Sequence, residues 1–77
     1  MNQTRRNKLQ SSLELLSQAE RTIEAVCDEE RDSMENTPEN LQSSDRYAAM
    51  ERAVDYLEDA IESIQEATSS IDSAMNE

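Results

Sequence analysis

Histidine, glycine, phenylalanine and tryptophan are absent from this 77-residue chain, and proline and cysteine occur once each. Each gap removes a class of activity. Without His there is no imidazole base, no Ser-His or Cys-His nucleophile pair, and no imidazole metal ligand. Di-metal four-helix sites need Glu-x-x-His pairs and are excluded for the same reason. Without Gly there is no phosphate-cradling loop, no calcium loop and no hairpin turn that requires positive φ. The lone Cys27 rules out an internal disulfide framework. Nothing cationic flanks it, so it reads as a buried structural thiol rather than a nucleophile. No apolar run approaches the ~20 residues of a membrane span, and no charged-then-apolar leader opens the chain. Together these gaps predict a non-enzymatic protein with no metal, no cofactor and no membrane contact, at home in a reducing cytoplasm.

What is present favours helix. Leu, Ala, Glu, Gln, Met and Arg dominate, all good helix formers, while sheet-forming residues are few. The expected class is all-α, in one small domain spanning 1–77.

Charge is uneven. The formal net charge is −11. Residues 1–35 hold five cations against eight acids, 36–50 one against two, and 51–77 one against eight, giving −3, −1 and −7. Arg5, Arg6 and Lys8 precede the first acid. Acid therefore grows along the chain behind a small basic start, and direct nucleic-acid binding by the acidic bulk is disfavoured.

The second half carries a regular beat. Tyr47, Met50, Val54, Leu57, Ile61, Ile64, Thr68, Ile71 and Met75 alternate three- and four-residue steps, a heptad seam with Tyr47 at a and Met50 at d. Alanine falls at g in 53, 60, 67 and 74, and Glu51, Glu58, Gln65 and Asp72 fall at e. The first half follows the same beat more loosely through Leu9, Leu13, Leu16, Ile23, Cys27 and Met34, interrupted by Glu20 and Glu30. Its g positions are Ser12, Ala19, Val26 and Ser33. Small g residues on both helices predict a close approach of the two backbones along that edge. Leu15 lies off the seam and suggests a second contact surface.

Pro38 breaks the pattern, because it cannot sit inside a helix without cost and disfavours helix at Thr37. The segment reads as helix 1 over about 4–35, a turn over 36–43, and helix 2 over about 44–75. Thr37 is expected to cap a short turn PENLQ with Pro38 in its first position. Ser43 or Ser44 is expected to cap helix 2, with Asp45 in its first turn and Leu41 folding back as a staple. A short connection makes the helices an antiparallel hairpin. So small a hairpin buries too little to stand alone without disulfide or metal, which predicts a helical-bundle homo-oligomer, a dimer or higher.

One cluster has chemistry to offer. Three of the seven cations and both tyrosines gather near the turn: Arg31, Arg46, Tyr47, Arg52 and Tyr56. Guanidinium groups suit phosphates and an aromatic face suits a base, so these residues are a candidate nucleotide site. Arg5, Arg6 and Lys8 are candidates to join it from another subunit. The plainer reading makes Tyr47 a core residue and the arginines partners of local acids. A separate candidate surface is the acidic face of helix 2, with Glu58, Asp59, Glu62 and Glu66.

The segment Leu9 to Ile71, and above all PENLQSSDRYAAMERAVDYLEDAIESI, resembles small acidic helical-hairpin proteins encoded by phages and mobile elements of Firmicute bacteria. Its specificity lies in the Pro38–Met50 turn and cap. The resemblance implies an origin and no active site, and it raises the expectation of a counter-defence role in a bacterial host cell. Three functions follow: an oligomeric sponge that sequesters a nucleotide immune signal, an acidic DNA-mimic-like inhibitor of a host defence or nucleic-acid-binding protein, and a structural adaptor that pairs its helices with a partner.

Overall fold

A computed structural model describes all residues, Met1–Glu77. Two helices, α1 (Gln3–Glu35) and α2 (Asp45–Met75), pack against each other and enclose a single 3-10 turn, Glu39–Leu41. There is no strand. A 33-residue helix is about 50 Å long. The chain is accordingly a rod of 59 × 15 × 13 Å, with a radius of gyration of 17.5 Å against about 11 Å for a compact domain of this length.

Both helices start on side-chain caps. Asn2 Oδ1 accepts the Arg5 N–H at 2.9 Å, and Ser44 Oγ accepts the Tyr47 N–H at 3.1 Å. Each satisfies one of the amides that a helix start leaves without a partner. The turn is made without glycine and without any positive φ. Asn36 closes α1 in a right-handed conformation, φ −87° and ψ 0°, and its N–H donates to Asp32 O. Pro38 then turns the chain at φ −56° and ψ 144°.

The turn differs from the expected capping. Pro38 occupies the cap position of the 3-10 turn, ahead of its first residue, and no side chain caps it. Thr37 instead donates its hydroxyl to Ser33 O at 2.9 Å, back into α1. A threonine hydroxyl four residues beyond a free helix-end carbonyl has that acceptor nearer than any amide ahead. Leu41 does not close as a staple either, since it stays 50% exposed.

Burial in α2 recurs at three- and four-residue steps from Tyr47 to Met75. In α1 it runs through Arg6, Leu9, Leu13, Leu16, Glu20, Ile23, Cys27, Glu30 and Met34. Only Cys27, at 2% exposure, and Val54, at 6%, are fully buried. Cys27 donates to Val54 O, and near the other end Arg6 Nε donates to Met75 O at 3.0 Å. Three heptads separate the two contacts on each helix, so one antiparallel register runs through both.

The small g edge is only partly used. Ala53 and Ala60 are half-buried, whereas Ala67, Ala74, Ser12, Ala19, Val26 and Ser33 are exposed. Close approach along the whole edge is therefore not what the hairpin uses these residues for. Two helices meeting through one seam leave the flank with nothing to touch.

Candidate functional site

The turn end of the rod holds a recess of about 620 Å³, within the range of small-ligand pockets. Pro38 and Leu41 form one wall, Tyr47 and Met50 another, and Ser33 and Arg46 the rim toward the g side of the hairpin. None of its lining residues is acidic. A shallower recess continues from it past Glu30 and Ala49.

Arg46 is the cation of this recess. It is exposed and forms no ion pair, because both ion pairs of the chain belong to Arg31. The sequence sets it there by placing it two residues after the Ser44 cap, so that it leaves the first turn of α2 beside Tyr47. The N–H groups of Asp45 and Arg46 have no acceptor, and the start of α2 adds a favourable field for an anion.

The other residues of the sequence cluster are dispersed. Arg31 donates to Asp28 at 3.1 Å and to Glu58 across the hairpin, on the e side, opposite the recess. Its guanidinium is held above its ordinary pKa, chiefly by the hydrogen bond with Glu58. Arg52 is exposed and outside the recess, and Tyr56 is exposed further along α2. Arg5, Arg6 and Lys8 lie at the far end of the same chain, where Arg6 closes the last turn of α2. The structure thus brings Arg46 and Tyr47 together and adds Met50, Leu41 and Ser33, which charge counting had no means to find.

The polar side is different in kind. Asp55, Glu58, Asp59, Glu62 and Glu66 are exposed along α2. Glu20, one of the two acids on the seam of α1, accepts from Gln65 Nε2 at 3.2 Å, a polar crossing in the seam. Desolvation along the helix surface and the neighbouring Glu20 carboxyl hold the exposed Glu24 above the usual carboxylate range, with Asp28 adding to it. No group of three or more Cys, Asp or Glu converges as a metal site. No helix is long and apolar enough to cross a membrane. Comparison with protein-family models, with curated proteins and with solved structures gives no match.

Proposed function

We propose that this chain is a non-enzymatic binding protein, a heptad-packed hairpin that assembles into a helical-bundle homo-oligomer, whose turn recess sequesters a small anionic ligand with a flat aromatic group, such as a nucleotide signal. One observation carries the reading. In a protein of net charge −11, the main recess is free of acid, is lined by Tyr47, and presents an arginine that no carboxylate neutralises. An unpaired guanidinium keeps its full attraction for phosphate, and an aromatic side chain beside it supplies a stacking face. The resemblance to phage and mobile-element hairpins supports a counter-defence setting in the cytoplasm of a bacterial host, with a host immune nucleotide as the captured species.

Native mass spectrometry of the protein mixed with cyclic and ADP-ribose nucleotides tests it. The expected result is an oligomer carrying nucleotide mass, with Arg46→Glu losing the ligand while the oligomer persists. An oligomer that ignores the whole panel overturns the ligand reading.

The exposed acids of α2 favour a second reading, an acidic decoy for a nucleic-acid-binding or defence protein of the host. It predicts inhibition that weakens with salt and is lost when Glu58, Asp59, Glu62 and Glu66 are neutralised. Inhibition indifferent to salt sinks it.

A further inference from the structure

The acids of this chain avoid one side of the rod. Of 18 carboxylates, only Glu29 occupies a heptad c or g position of either helix. On α2 these positions run from Ala49 to Ala74 without a charge, and Tyr56 among them is 72% exposed. On α1 they include Ser12, Leu15, Ala19, Thr22 and Val26, with Leu15 at 66% exposure. In an antiparallel pair the two g edges flank the same side of the seam and the two e edges the other. The Arg31–Glu58 bond, between e residues, marks the far side. The c/g stripes of both helices therefore form one continuous face whose only acid is Glu29.

We propose that this face is covered by a second copy of the chain, stacked antiparallel, α1 on α1 and α2 on α2, with the two turns at opposite ends. The proposal rests on the oligomeric part of the preceding reading and not on its ligand.

Four observations select this occupant and this orientation. The first is angle: at about 100° per residue the c/g stripe lies about 100° around each helix from the a/d seam, close to the right angle of a square four-helix bundle. The second is area: a 59 × 15 Å outline offers on the order of 900 Å² per copy, against about 800 Å² per partner in a standard stable interface. The third is charge. The α1 stripe begins with Arg5 and Lys8 and ends with Glu29. Antiparallel stacking lays the cationic end on the acidic end, whereas parallel stacking of the same faces lays α1 on α2, whose stripe offers Arg5 and Lys8 no acid. The fourth is that Ser12 and Thr22 of the α1 stripe already donate to the carbonyls of Lys8 and Gln18 at 3.2 and 3.1 Å. Covering them orphans no hydroxyl.

The arrangement explains the alanines. Small g residues on α2 permit close approach to the α2 of the other copy, with Tyr56 as the large residue among them. It also carries the partner subunit's Arg5 and Lys8 toward the turn end of the first copy, where Ser33 and Arg46 stand at g.

The test is oligomeric state combined with distances between spin labels. Sedimentation of the full chain is expected to give a dimer. Leu15→Glu gives a monomer with the helix content of the wild type, because Leu15 is exposed in the hairpin; Ser17→Glu, on the e side, leaves the dimer intact. Labels on Gln18→Cys sit within about 20 Å of each other, and labels on Thr4→Cys at least about 30 Å apart. Cys27 is buried and stays unlabelled. A wild-type monomer at micromolar concentration overturns the oligomer itself, and a face that takes up some other protein in preference to its own copy overturns the occupant. A dimer insensitive to Leu15→Glu, or one with Thr4 labels as close as Gln18 labels, overturns the face or the orientation and leaves the oligomeric reading standing.

Discussion

Cys27 and Val54, the two buried residues of the chain, face each other across the hairpin, with Cys27 Sγ 4.0 Å from the carbonyl oxygen of Val54. The apolar centre of the rod is thus a single cross-helix contact near the turn half. Val54→Ala removes two carbon atoms there and is expected to cost about 2 kcal/mol, visible as a lower urea midpoint. In the native state the Cys27 thiol should react with a disulfide reagent only as fast as the helices part, so Val54→Ala should speed that reaction. A thiol that reacts at the rate of a free peptide contradicts the contact.

Arg31 and Glu58 offer a weaker bond. Their side chains are 41% and 51% exposed. A double-mutant cycle with Arg31→Gln and Glu58→Gln is expected to give a weak coupling that falls as salt rises. A strong coupling that salt does not weaken would mean that the pair is desolvated, as burial under another copy would make it, and would place the interface on the e side.

Acid crowding gives a pH dependence. Glu24 holds its proton more tightly in the folded hairpin than in the unfolded chain, through desolvation and the nearby Glu20 and Asp28. For a carboxyl raised in this way, the folded state gains as pH falls and loses as pH rises through the folded pKa. The melting temperature should therefore climb from pH 7 toward the ordinary carboxylate range near about 4.3. Glu24→Gln should flatten the climb. Thermal melts by circular dichroism at pH 7 and 5 decide it, and a fall on acidification contradicts it.

Ser44 holds the start of α2. Ser44→Ala leaves the Tyr47 N–H without its 3.1 Å acceptor and should cost about 1 kcal/mol. Asn2→Ala removes the equivalent bond at the open end of the rod, where fraying already competes, and should cost less. Hydrogen exchange at Tyr47 and Arg5 compares them directly; equal losses would show that the two ends are equally held.

Much of this architecture is legible in the residues. The alternating steps from Tyr47 to Met75 dictate one buried stripe per helix, and Pro38 can only interrupt. Ser44 precedes an acidic first turn, as a cap should. The turn itself was harder to read. Thr37 has two acceptable partners, a carbonyl behind it and an amide ahead, and only the geometry of the closing α1 chooses between them. Leu41 likewise carries no mark that says whether it folds inward. Leu41 is one wall of the recess, so that wall was invisible in the sequence even though Arg46 and Tyr47 were not. Arg31 shows the reverse case. Counting placed it beside the other arginines, but side chains on a helix lean toward its N-terminus, and in antiparallel helices the leans converge. That convergence draws Arg31 toward Glu58 and away from the turn.

Arg6 reaching the last carbonyls of α2 has a mechanical meaning. The start of α1 and the end of α2 lie side by side, so tension applied to them peels the helices apart from that end. Resistance then comes from one rung at a time instead of from the whole seam in shear. The Arg6–Met75 bond is the first rung to part under such a load, and Cys27 with Val54, three heptads further in, is the firmest that the tear must cross before it reaches the turn.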